Sequence, residues 1–280
     1  MAMTPVATAS IMIIVSGAAH AVVNAILKSG QDKMSSRALM DGFSAIIVLP
    51  FVFVVALPHG AWAWLGAAGI VHFVYLYCLI KAFESADMTV AYPIARGVAP
   101  ALAATVAVGV FGEPITWVTA VGIGLVSVGV MTVGLGRAVT RSALIWAGAT
   151  GICTALYTVL DAQGVRAAPS APSYIVWIYL IDGLIIGAIF ALIRGPRFLL
   201  AARSEWKPGL IAGAFSLLTY GLALWAFRIG DTPRLAALRE TSILFGVAIA
   251  VVFLKERLTR GRLVGILTIA IGAATLLAAG

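Results

Sequence analysis

The sequence predicts an all-α membrane protein of ten transmembrane helices in two inverted five-helix repeats. Three observations carry this reading. Of 280 residues, 62% are hydrophobic and 11% charged, against about 25% charged in an ordinary soluble domain. The apolar residues fall in runs of the roughly 20 needed to cross a bilayer, separated by short connections that hold most of the lysines and arginines. Polar and glycine landmarks recur in one order in both halves of the chain, the mark of an internal duplication.

In chain order the expected spans are 6–27, 37–57, 61–83, 88–110, 115–136, 143–163, 174–193, 208–228, 232–253 and 261–279. The first follows an N-terminus without basic residues, so it reads as a span and not as a cleaved signal. The fourth carries Pro93, Arg96, Gly97 and Pro100 in its first half. Proline removes a backbone donor and clashes with the preceding turn, so this segment is expected to be kinked or broken, a hinge at Pro93, Gly97 and Pro100. A charge in mid-membrane costs about 2.5 to 3.5 kcal/mol, so Arg96 should face protein or a cavity.

The ninth span repeats the fourth. Ala82-Phe83 aligns on Ala226-Phe227, Asp87 on Asp231, Arg96 on Arg239 and Glu113 on Glu256. Asp41-Gly42 matches Asp182-Gly183, Gly17 and Gly30 match Gly151 and Gly164, and Gly122 and Gly129 match Gly265 and Gly272. The repeats are therefore set at 1–138 and 139–280. The seven-residue glycine spacings predict close helix contacts.

Of the 19 basic residues, 14 lie in the odd-to-even connections, three on the other face, and Arg96 and Arg239 inside the membrane. The positive-inside rule then puts the odd-to-even connections in the cytoplasm and both termini outside, in a bacterial-type inner membrane. Five helices per half is an odd number, so the halves lie upside down to one another, a transporter arrangement with its site near the midplane. The formal charge of +8 thus orients the chain and does not bind nucleic acid. Cys78 and Cys153 sit in apolar runs and offer no disulfide framework or metal spacing. No cofactor is expected; the partners are the bilayer and a small-molecule substrate, for a monomer or weak homodimer.

Candidate binding residues are the polar and aromatic side chains within spans. His20 and Asn24 share a face of the first helix, His72 and Tyr75 a face of the third, and Thr154, Tyr157, Thr158 and Asp161 a stripe on the sixth. Tyr92, Arg96, Tyr220 and Arg239 complete the set. Trp62, Trp64, Trp117, Trp146 and Trp206 lie near span ends, where tryptophan forms interfacial belts. The duplicated acids suggest two ion pairs that gate the cavity, Asp41 with Arg96 and Asp182 with Arg239, with Glu240 a rival partner for Arg239.

"FGEP" and "FLKER" close the fourth and ninth spans, each followed by a glycine-rich helix. With the ten-helix, two-half order, the chain resembles the drug/metabolite transporter superfamily, specifically its EamA-type exporters. The resemblance implies export of small metabolites by alternating access through a central cavity. The His72-x-x-Tyr75 pattern is similar to that of bacterial aromatic amino acid exporters of this family, which implies amino acid substrates. The four-helix multidrug relatives carry a glutamate on helix 1 for proton coupling; here helix 1 has no acid. A sugar- or nucleotide-type carrier of the same fold, a channel and an intramembrane enzyme are the alternatives, though no HExxH or GxSxG motif supports catalysis.

Overall fold

A computed structural model describes residues 4–30, 32–85, 88–134, 140–252, 255 and 258–279. Asp87, Arg137, Glu256, Arg257 and the repeat division at 138/139 lie outside the described residues, as do the side chains of Lys28 and Lys33. The described chain is helical, in order α1 (Pro5–Ser29), α2 (Lys33–Val48) with a 3-10 extension (Leu49–Phe53), α3 (Trp62–Ser85), α4 (Met88–Gly109) and α5 (Trp117–Val133). The second half runs α6 (Arg141–Ala167), α7 (Ala171–Arg194), α8 (Pro196–Ile229), α9 (Thr232–Leu238), a 3-10 turn (Arg239–Thr241), α10 (Ser242–Val252) and α11 (Arg260–Ala278).

Local chemistry sets the ends. Side chains of Thr4, Thr116, Thr140, Ser170 and Thr259 accept hydrogen bonds from backbone N–H groups in the first turns of α1, α5, α6, α7 and α11, satisfying donors that no intrahelical carbonyl can reach. Eight helices among the described residues are long and apolar enough to cross a membrane, and α5 is a shorter apolar helix. Their outward faces carry Phe53, Ile70, Val110, Trp117, Val128, Leu184 and Leu192, all more than half exposed. Polar groups such as Asp161, Ser16 and Thr232 are wholly buried. A molecule apolar outside and polar inside suits lipid as its solvent.

Packing has a two-fold pattern. α3 packs on α6 as α1 packs on α8; α4 lies on α6 as α9 and α10 lie on α1; α2 pairs with α7, and α5 with α11. Exchanging each span for its counterpart in the other half maps this pattern onto itself. The α5–α11 seam is as close as the glycine spacing predicts. A Cβ added at Gly129 would stand 2.8 Å from Ile269 N and 2.9 Å from Gly265 O, and one at Gly272 would stand 2.9 Å from Gly122 O.

Three expectations are corrected. The fourth span is not broken: α4 is helical through Pro93 and Pro100. Room is made for the Pro93 ring at Gly134, where an added Cβ would lie 2.6 Å from Pro93 Cβ. The interruption falls in the ninth span, at Arg239–Thr241, where Thr241 Oγ1 donates to Leu238 O at 2.7 Å and competes with the helical ladder. Second, Arg197, Arg203 and Lys207 are not in a loop but within α8, which starts at Pro196 after Gly195 turns with φ +54°; proline suits a first helical position. Third, α2 starts at Lys33, four residues before the expected span at 37, and its helix proper ends at Val48 with a 3-10 extension to Phe53.

Candidate functional site

The spans converge on a central cavity of about 150 Å³. α1 contributes His20 and Asn24, α2 Arg37 and Asp41, α3 His72 and Tyr75, α6 Tyr157, α7 Tyr179 and Asp182, α8 Tyr220, and the 3-10 turn Arg239. The broken ninth span is what brings Arg239 inward. These contributions come from the later part of α1 and the first turns of α2, so the cavity lies toward the end of the bundle where α1 hands over to α2.

Tyrosines form one wall. The Tyr157 ring stands edge-on to His72 at 4.5 Å and to Tyr75 at 5.4 Å, and Tyr220 continues the row to Tyr179 at 6.4 Å. His72 is held between two acids: Nδ1 lies 2.6 Å from Asp182 Oδ2 and Nε2 3.3 Å from Asp161 Oδ2. Asp161 is fully buried and also accepts from Tyr174 Oη at 2.7 Å and from Tyr220 Oη. Asp182 keeps 23% of its side chain exposed, to the cavity it lines. The Arg239 guanidinium sits 4.9 Å over the Tyr220 ring, and its buried Nε has no hydrogen-bond partner among the described residues.

The expected ion pairs form differently. Asp41 pairs with Arg37 at 2.8 Å, one turn back on α2. Arg96 pairs with Glu240 at 2.9 Å and donates to Ser242 Oγ at 3.2 Å, because the break in the ninth span turns Glu240 toward α4. Asp182 goes to His72 and Arg239 to the tyrosine face. Arg96 and Thr154 therefore lie outside the central cavity, in a small void with Pro100, and Thr154 Oγ1 donates back to Thr150 O. Tyr92 lines a separate side cleft with Pro93, though its hydroxyl lies 3.5 Å from both Asn24 Nδ2 and His20 Nε2. His72, Tyr75, Asn24, Tyr157, Tyr220 and Arg239 do converge. Arg37 and Tyr179 were missed as binding groups; Asp161 was named in the stripe of the sixth helix and Asp182 as a gating acid, but their pairing with His72 was not.

A polar network ties the far end of the bundle together. Arg166 Nη1 lies 2.6 Å from Glu113 Oε1, and its other nitrogens donate to Phe227 O, Gly230 O and Thr232 Oγ1. Glu113 also accepts from Thr232 N at 2.8 Å, tying the end of α4 to the starts of α9 and the end of α6.

A lipid-facing helical bundle around a polar, aromatic-walled cavity defines the class of membrane carriers of small molecules. The family model for the EamA-like transporter family matches residues 7–135 and again 141–278. The chain belongs to the EamA-like transporter family, of the drug/metabolite transporter superfamily, whose members are membrane transporters of small molecules and not enzymes. Among solved structures, 28 chains match. One, titled only as the crystal structure of a protein, has a TM-score of 0.72 at 15% identity over 95% of this chain and 94% of that one, a likeness of fold. None of the curated proteins matches significantly.

Proposed function

We propose that the protein is a secondary transporter that exports amino acids, aromatic ones included, by alternating access between ten spans in two inverted repeats, 1–138 and 139–280. The observation that carries this is the pair of opposite charges offered to one cavity: Arg239, with a tyrosine face as its neighbour, and Asp182, partly exposed. A zwitterion answers both, its carboxylate on Arg239 and its ammonium on Asp182, and the tyrosine row gives an aromatic side chain edge and face contacts. Within this reading both termini are periplasmic in a bacterial inner membrane, the monomer is the working unit, and the Arg166–Glu113 seal closes the outer side. Pro93, Gly97 and Pro100 let α4 bend as that side opens, since these residues lack the hydrogen bonds or bulk that stiffen a helix.

The test is counterflow in proteoliposomes. Unlabelled phenylalanine inside should accelerate entry of labelled phenylalanine, as a carrier requires. Entry unaffected by internal substrate would indicate a channel, and no entry for any amino acid would remove the substrate class.

A further inference from the structure

We propose that His72, held between Asp161 and Asp182, is a proton-binding site that shares Asp182 with the substrate's ammonium, so that one proton and one substrate exclude each other. This rests on the amino acid reading above.

The geometry asks for a proton. A neutral imidazole has one N–H and one bare lone pair, so it can serve only one of two ionised carboxylates. Here both ring nitrogens lie within ion-pair distance of an acid, at 2.6 and 3.3 Å. Nδ1 meets Asp182 at ion-pair distance without an aligned hydrogen bond; an imidazolium sets positive charge against both acids, whereas a neutral ring sets a lone pair against a carboxylate. Charge balance agrees. Among the described residues, in the cavity or packed beside it, stand three arginines, Arg37, Arg96 and Arg239, and four carboxylates, Asp41, Asp161, Asp182 and Glu240. Two pairs are closed, Arg37 with Asp41 and Arg96 with Glu240. With Arg239 over the Tyr220 ring and in contact with neither acid on His72, these described groups sum to neutral only with one further proton. An uncompensated charge at this depth is costly.

Other titratable groups face His72 and the cavity. Tyr157 and Tyr220 lie 4.5 and 6.2 Å from it, ring to ring, and Tyr75 lines the same cavity. Across the cavity, Asp41 is engaged by Arg37, and His20 has the Tyr92 hydroxyl beside it. Asp161 has no exposure and is filled by the Tyr174 and Tyr220 hydroxyls. The proton therefore enters and leaves on the Asp182 side, which opens to the cavity.

Exchange follows from that shared acid. A substrate ammonium that takes Asp182 breaks the Asp182–His72 ion pair and sets a second cation beside the ring. The N–H bond then breaks, its electron pair stays on Nδ1, and the proton passes to cavity water. Departure of the substrate on the other side of the membrane leaves Asp182 free to draw a proton back to Nδ1. The cycle moves one proton against one substrate and needs no acid on the first helix. Asp161, off the cavity, is a positioning residue that holds Nε2 and favours the charged ring.

Reconstituted protein and labelled phenylalanine test this. With the liposome interior more acidic than the exterior, phenylalanine should accumulate inside above its external concentration, and a protonophore should abolish the accumulation. In detergent, phenylalanine binding should tighten with rising pH by about tenfold per unit below the midpoint, as competition with one proton requires. Asp161→Asn should move that midpoint to lower pH, because removing a negative neighbour disfavours the charged ring, and Asp161→Glu should restore it toward wild type. Counterflow without gradient-driven accumulation, or binding that is flat with pH, overturns the proton site and leaves the amino acid reading standing. A midpoint unmoved in folded Asp161→Asn protein also overturns it. Absent counterflow overturns both.

Discussion

Arg239 is one of two charged groups that meet the cavity without a carboxylate or arginine partner among the described residues, the other being Asp182 on its histidine. Arg239→Gln keeps hydrogen-bonding capacity and removes the charge. Loss of a hydrogen bond to a charged group is worth about 1.5 to 3 kcal/mol, so phenylalanine should bind roughly 10- to 150-fold more weakly by isothermal titration, with Arg239→Lys in between. Asp182→Asn should weaken binding through the ammonium by a similar factor. An Arg239→Gln protein that binds as wild type would remove the carboxylate site. At this scale the sequence was only partly legible. The polar residues within spans named His72, Tyr75, Tyr157, Tyr220 and Arg239, since a polar group at membrane depth has little else to face than protein or a cavity. Pairing was not legible, because it depends on helix rotation: Asp41 meets Arg37, one turn back on its own helix, and not the arginine of another span.

At the scale of elements, the prolines of the fourth span pointed to a break that falls instead in the ninth span, at Arg239–Thr241. α4 stays helical through both prolines; Gly134 at the end of α5 leaves room for the Pro93 ring, and in a membrane span neighbouring groups can satisfy the carbonyls that proline frees. The seam of α5 and α11 was readable from glycine spacing alone, and it predicts a stability effect. Gly129→Val would press a side chain on Ile269 N and Gly265 O, costing about 1 to 3 kcal/mol or more; a lower melting temperature in detergent should follow, and none would mean that the seam yields. The Arg166–Glu113 seal predicts a conformational effect. Glu113→Gln leaves Arg166, with its side chain 26% exposed, without its counter-charge, and should favour opening on that side. Cysteines introduced near Thr232 should then react faster with a membrane-impermeant maleimide added outside; unchanged labelling would deny the seal a gating role.

For the whole molecule, composition and periodicity carried the fold class, because lipid requires every spanning backbone to satisfy itself as helix. The two-half order was readable from landmarks such as Asp41-Gly42 and Asp182-Gly183, and the packing of α3 on α6 and α1 on α8 repeats it. The proposed orientation rests on the excess of lysines and arginines at one end of the bundle, whether in the odd-to-even connections or in the helix ends that adjoin them. A C-terminal fluorescent reporter that folds only in the cytoplasm should be dark, and a bright one would reverse the assignment. The central claim is that one cavity reads both charges of an amino acid. Competition against labelled phenylalanine in counterflow tests it most directly, with unlabelled phenylalanine, phenylalanine amide, which lacks the carboxylate, and 3-phenylpropionate, which lacks the ammonium. The account predicts that phenylalanine competes and that each singly charged analogue is at least about tenfold weaker, the lower end expected for losing one charged hydrogen bond. Competition by either analogue equal to that of phenylalanine would contradict it.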